Sequence, residues 1–106
     1  MAKEKKVIKQ LENFLEEISL EYPINIAYLF GSRARGKPRR DSDIDLLIVS
    51  KKFKGKRWLN RSPPLYSKWN LDYPVDFICL TPDEFRERRK QVGIVREAIK
   101  SGIKII

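Results

Sequence analysis

Val7, Leu11, Phe14, Leu15 and Ile18 form one apolar stripe at helical spacing, with Lys and Glu between them, which predicts a helix over residues 3–21. Pro23 stops it. INIAYLF, residues 24–30, is short, rich in apolar and aromatic side chains and bounded by Pro23 and Gly31, the signature of a strand. IDLLIV, residues 44–49, predicts a second strand, apolar on both faces past Asp45 and therefore central in its sheet. VDFICL, residues 75–80, follows the turn signal DYP and predicts a third. TPDEF then opens a helix, with Thr81 as N-cap, Pro82 at the first helical position and Glu84 closing a capping box. Phe85, Val92, Val95 and Ile99 continue its buried face through a kink at Gly93. Gly102 ends the helix, and IKII adds a short edge strand.

Residues 51–71, KKFKGKRWLNRSPPLYSKWNL, break this rhythm. They hold seven basic side chains, no acid, two tryptophans and Pro63-Pro64. The double proline argues against one continuous helix, leaving a loop with a short helical piece. Trp58, Tyr66 and Trp69 interleave with the cations. They are expected first to pack on the domain's own flank, and second to offer stacking surfaces for bases.

A chain of 106 residues can bury a single core, so residues 1–106 are expected to form one domain. Twenty-three Lys and Arg against fourteen Asp and Glu give a formal charge of +9, which favours polyanionic company such as nucleotides or nucleic acid. The same composition also suits a solvated, charge-rich surface. There is no histidine, which excludes His-based acid–base catalysis and His-ligated metal sites. The one cysteine, Cys79, lies in an apolar run and reads as a small buried hydrophobe. No apolar window approaches a membrane span, and MAKEKKVIKQ lacks the apolar core of a signal peptide, so a soluble, cytoplasmic protein without membrane contact is expected.

The chemistry concentrates in GSRARGKPRRDSDIDLLIVS, residues 31–50. Asp43 and Asp45 stand two apart at the entry of a strand, so their side chains emerge on one face with Cα atoms about 6.5 Å apart. Two carboxylates so placed repel each other unless a cation sits between them. Mg²⁺ takes oxygen ligands and is commonly held by one or two carboxylates plus substrate phosphates. Asp76 begins the next strand, and if the two strands share a sheet all three acids converge at one end. Three acids can hold two metal ions about 4 Å apart, the arrangement that clamps entering and leaving oxygens in phosphoryl chemistry. Solvent-facing strand entry is the plain alternative for Asp43 and Asp45, and pairing with an arginine for Asp76, while Asp41 and Asp72 lie in turn-like, polar stretches and are read as ordinary surface acids.

Gly31-Ser32 supplies the phosphate half. Gly31 can adopt backbone angles closed to other residues, and N–H groups following it can meet an anion. Arg33 and Arg35 are placed to neutralise a triphosphate. GSRARGKP also fits P-loop glycine spacing, but proline at position 38 stands where Ser or Thr must ligate Mg²⁺, and a strand follows instead of a long helix. A P-loop is rejected.

Gly31-Ser32, ten intervening residues, Asp43-x-Asp45 and Asp76 on a later strand together resemble the DNA polymerase β nucleotidyltransferase superfamily. The stretch GSRARG…SDIDLLIV…VDFICLTPDEF is most similar to its minimal prokaryotic, MNT-type members. The resemblance implies an α/β (α+β) domain with a small mixed sheet flanked by helices, as in the polymerase β palm. It implies transfer of a nucleoside monophosphate, most readily AMP from ATP, to a hydroxyl. It also implies that Asp43, Asp45 and Asp76 ligate two Mg²⁺ ions, with Mn²⁺ as a substitute. Asp76 would help deprotonate the acceptor, while Gly31, Ser32, Arg33 and Arg35 bind the phosphates. Larger members add a domain that grips the acceptor. The resemblance therefore implies a partner, either a helical HEPN-type protein, as in toxin–antitoxin pairs, or a second copy of the chain. The rival reading is a non-catalytic module that binds nucleotide or nucleic acid through its basic surface, with weak, salt-sensitive nucleic-acid association through residues 51–71. The acid triad separates the two, because a polyanion binder has no use for three acids at its cleft.

Overall fold

The structure is a computed structural model that describes residues 2–31 and 44–106. Helix α1 spans Ala2–Ile18 and strand β1 Ile26–Phe30; the helix ends in a turn over residues 19–22, ahead of Pro23. Strand β2 covers Ile44–Val49 and β3 covers Val75–Leu80, the boundaries their apolar runs predict. The sheet has the order β3-β2-β1-β4, with β4 at Ile103–Lys104. Strand β2 pairs antiparallel with β1 and parallel with β3, so the sheet is mixed and β2 is interior. β4 pairs antiparallel with β1 as an edge strand.

Strand alternation divides the core into two layers. Ala27, Leu29, Ile44, Leu46, Ile48, Phe77 and Cys79 face the stripe of α1, where Val7, Leu11, Phe14, Leu15 and Ile18 are all buried. Leu47, Val49 and Leu80 face the other way, onto Phe85, Val95 and Ala98 from two C-terminal helices. Asp45 and Asp76 have the parity of this second layer. Cys79 is buried, and burial pushes its thiol up to about 12, against a smaller opposing pull from Arg61.

Two expectations change. The helix opened by Thr81 is α4, Pro82–Arg88, with its capping box intact, but it does not kink at Gly93. It ends, and a separate helix α5 runs from Ile94 to Ser101. Gly93 has a φ of +159°, near the extended edge of the map, and Val92 is 90% exposed instead of lying on a buried face. The spacing of Phe85, Val92 and Val95 fits one continuous turn pattern, yet the chain between α4 and α5 leaves the helix before Val92 is reached.

Residues 51–71 are more ordered than a loop. A 3-10 turn over Lys51–Phe53 leads to α2, Trp58–Arg61, and α3, Pro63–Lys68. Pro63 and Pro64 separate the two helices and begin the second, where a missing N–H costs nothing. The aromatics mostly turn inward. Trp69 meets Phe14 edge-on at 5.0 Å and Phe77 at 5.7 Å, and Tyr66 meets Phe77 at 4.8 Å. Packing on the domain's own flank is thus the finding for Tyr66 and Trp69.

This segment also covers the outer edge of β3, an otherwise open row of backbone donors and acceptors. The Phe77 N–H donates to the Tyr66 hydroxyl at 3.4 Å, and Arg61 Nη1 donates to the Cys79 carbonyl at 3.1 Å. Arg61 is buried, donates through Nε to the Lys56 carbonyl at 3.0 Å and forks onto Glu84 at 2.6 and 3.2 Å. Glu84 in turn accepts from the Thr81 N–H at 2.8 Å. One side chain thereby fastens α2, β3 and the start of α4. The Arg61 guanidinium holds the Glu84 carboxyl below its ordinary range, outweighing its partial burial.

Candidate active site

Parallel pairing aligns Asp45 with Asp76 as direct register partners, at the N-terminal ends of β2 and β3. Neighbouring strands lie about 4.8 Å apart, so the two carboxylates leave one face of the sheet side by side. Asp45 is half-buried and Asp76 exposed. Antiparallel pairing places Phe30, the last residue of β1, opposite Asp45. Gly31 therefore follows directly beside Asp45.

Gly31 has a φ of +82°, in the left-handed region that glycine occupies without penalty. A Cβ at this position would overlap Oδ2 of Asp45. The chain thus brings backbone against a carboxylate more closely than any side-chain-bearing residue allows. Sequence order across this end of the sheet runs Gly31, Asp45, Asp76, from β1 through β2 to β3. Three separated stretches are gathered by strand pairing alone.

Asp43, Ser32, Arg33 and Arg35 lie outside the described residues, so the structure places Gly31, Asp45 and Asp76 of the sequence-derived set. Among the described residues no group of three or more carboxylate or thiol ligands assembles. The donor set nevertheless suits a hard cation. It consists of carboxylate oxygens on adjacent strands, and the missing Gly31 side chain is what lets the Asp45 carboxylate sit against the end of β1.

Beyond Asp76, on the same face of β3, a cleft of about 160 Å³ is lined by Trp58, Ile78, Arg88, Gln91, Val92, Gly93, Ile94 and Val95. Ile78 follows Asp76 by two residues, about 6.5 Å along the strand. The chain reverses at Thr81 and α4 returns beside β3, which brings Arg88 level with Ile78. Trp58 is 48% exposed, and the guanidiniums of Arg61 and Arg88 lie over its ring at 5.8 and 5.6 Å from the centroid. Sequence reasoning missed this cleft because it assigned Val92 to a buried helical face. The available signal was Gly93 followed by a fresh apolar periodicity.

Of the seven cations in residues 51–71, Arg61 is internal and Lys68 pairs with Glu21 at 3.3 Å, so the segment offers less to a polyanion than its composition suggests. No described helix is long and apolar enough to cross a membrane.

Comparison with known proteins bears on the family and the fold. Residues 8–105 match the model of the nucleotidyltransferase domain family. A Haemophilus influenzae protein described as a "probable protein adenylyltransferase", MntA, is 29% identical over 87 residues, covering 80% of this chain and 74% of its own. The crystal structure of a protein from Sulfolobus solfataricus assigned to the nucleotidyltransferases superposes with a TM-score of 0.68 at 27% identity, over 95% of this chain and 80% of that one. A toxin–antitoxin structure with AMP-PNP shares the fold, with a TM-score of 0.56 at 22% identity over 90% of this chain and 72% of the other. Sheet order and a family match spanning residues 8–105 agree: the chain belongs to the nucleotidyltransferase domain family of the DNA polymerase β superfamily.

Proposed function

We propose that this protein transfers AMP from ATP to a hydroxyl group on a protein acceptor, in a Mg²⁺-dependent reaction. The observation that carries the reading is the in-register pair Asp45 and Asp76 beside the side-chain-free Gly31. Similarity to a protein described as a protein adenylyltransferase supports the choice of AMP and of a protein acceptor.

In this reading Asp45 and Asp76, with Asp43 two residues before Asp45 in sequence, hold the metal. Gly31, Ser32, Arg33 and Arg35 receive the triphosphate. Bound there, Mg²⁺ neutralises phosphate charge and stabilises the charge that develops during transfer. Asp76 accepts the proton of the acceptor hydroxyl. The freed oxygen forms a bond to the α-phosphorus, the bond from that phosphorus to the bridging oxygen breaks, and pyrophosphate leaves with the electron pair. The acceptor rides on a helical HEPN-type protein or a second copy of this chain, an arrangement in keeping with the toxin–antitoxin structure that shares the fold.

The test is calorimetric titration with ATP in Mg²⁺ and in EDTA, followed by intact-mass measurement of a co-expressed neighbouring-gene product. Wild type should bind ATP more tightly with metal, and Asp45→Asn should erase that difference. Loss of one metal ligand should lower turnover at least about 100-fold. Equal ATP affinity with and without metal in wild type would sink the proposal.

A further inference from the structure

The cleft next to Asp76 has features that nucleotide transfer itself does not need. Trp58 is 48% exposed, Val92 90% and Ile94 55%, and Leu59, adjacent in sequence to Trp58, is 81% exposed. Three of these, Trp58, Val92 and Ile94, line one opening. The cleft volume, about 160 Å³, is close to that of a cavity that takes a benzene-sized ring. A cation, Arg88, lines the cleft, within the exposed run RERRK of residues 86–90, and exposed Arg57 precedes Trp58 in sequence. Arg86 pairs with Asp83, leaving Arg88, Arg89 and Lys90 facing a single neighbouring acid, Glu87, in that run.

Position decides what the cleft is for. Gly31 lies on the β1 side of Asp45, and the cleft lies on the β3 side of Asp76. A triphosphate received at Gly31 leaves the β3 side for the second substrate. A nucleotide base set against Trp58 would still leave Val92 and Ile94 in water, whereas a polypeptide segment can cover all three. Tryptophan and arginine at the centre of an apolar opening are also the residue types that anchor protein interfaces.

We infer that the Trp58–Arg88–Ile94 cleft docks an acid-flanked apolar or aromatic segment of the acceptor protein, holding its hydroxyl-bearing stretch beside Asp76. This inference rests on the transfer reaction proposed above. Apolar contact seats the anchor in the cleft. An acidic flank meets Arg88 at the cleft, and the exposed Arg89 and Lys90 that follow it in sequence add to the attraction, which speeds encounter and fixes orientation.

The experiment is titration of ¹⁵N-labelled protein with the peptide EEYLEE and its basic counterpart KKYLKK, read by amide and indole chemical shifts. The acidic peptide should move the Trp58 indole and the 92–95 amides, and the basic peptide should leave them still. Val92→Asp alters a side chain almost wholly in solvent, so it should fold. It should weaken EEYLEE about tenfold while ATP affinity in Mg²⁺ holds. Trp58→Ala should do the same, with its folding checked by the dispersion of the remaining amides. Asp45→Asn should lose metal-dependent ATP binding and keep the peptide. Equal response to both peptides, or to neither, overturns the docking assignment. Loss of ATP affinity in Val92→Asp and Trp58→Ala also overturns it, making the cleft a base pocket. Failure of wild type to bind ATP with metal sinks the transfer reaction instead, and the peptide shifts then still report on the cleft.

Discussion

Gly31 carries two constraints that reinforce each other, a φ of +82° and a backbone pressed against Oδ2 of Asp45. Alanine at this position pays a left-handed penalty of about 1–2 kcal/mol and drives its methyl into the carboxylate. The neighbour that must yield is the short side chain of Asp45. Gly31→Ala should therefore damage the site more than the fold. Its melting temperature is expected to fall only modestly, while the gain in ATP affinity on adding Mg²⁺ shrinks toward that of Asp45→Asn. Paired calorimetry and thermal melts check this. A variant that melts like wild type and keeps full metal dependence would show that Asp45 can move aside without consequence. Gly102 works differently, since a Cβ there would press on the Ala98 carbonyl and lie 2.8 Å from the Leu29 carbonyl, a packing constraint on how α5 meets β1.

At the scale of elements, the Arg61–Glu84 fork joins three of them, and its pH behaviour follows from the direction of the Glu84 shift. The Glu84 carboxyl titrates lower folded than unfolded, chiefly because Arg61 donates to it. Its stabilisation is thus complete above the ordinary carboxyl value of 4.5 and disappears as pH falls through the lower folded value. Glu84→Gln should destabilise by about 1–2 kcal/mol at pH 7, because a buried guanidinium loses its charged partner while keeping two carbonyl contacts. The gap between variant and wild type should close in acid, below about pH 4.5, as urea melts across pH 3–7 would show. A gap independent of pH would mean that the carboxylate charge plays no part. The elements themselves were unequally legible. β2 and β3 are readable to the residue because short apolar runs, each broken by a single acid, leave strands few alternatives. Thr81-Pro82-Asp83-Glu84 announces α4 because capping is local chemistry. The helices α2 and α3 are not readable from periodicity. Their partners, Phe14, Phe77 and Cys79, are distant in sequence, and long-range packing decides which face of a short segment is buried. In the site, Asp45, Asp76 and Gly31 are legible as chemistry, and pairing supplies their alignment. Arg61 reads as one more surface cation until the edge of β3 is there to receive it.

For the molecule as a whole, the parallel register of β2 and β3 has a thermodynamic consequence. Asp45 and Asp76 become neighbours only when strands separated by residues 50–74 have paired, and a slip by one residue would turn one carboxylate to the opposite face. An unfolded or mis-registered chain presents its acids scattered. A ligand that needs both side by side therefore recognises the finished sheet and ignores the rest, which makes its binding energy folding energy by mass action. ATP with Mg²⁺ at about 100 times Kd should add about 2.7 kcal/mol to stability. For a domain of this size that raises the melting temperature by about 10 °C or more, an increment absent in EDTA and in Asp45→Asn. A scan showing no metal-dependent rise in wild type would count against the two acids as joint ligands. Newly made chains would in that case gain nothing from the cell's nucleotide pool. If the rise is seen, that pool acts on this small domain as a proofreader of strand registry, holding correctly paired molecules in the native basin and leaving slipped ones exposed to proteolysis.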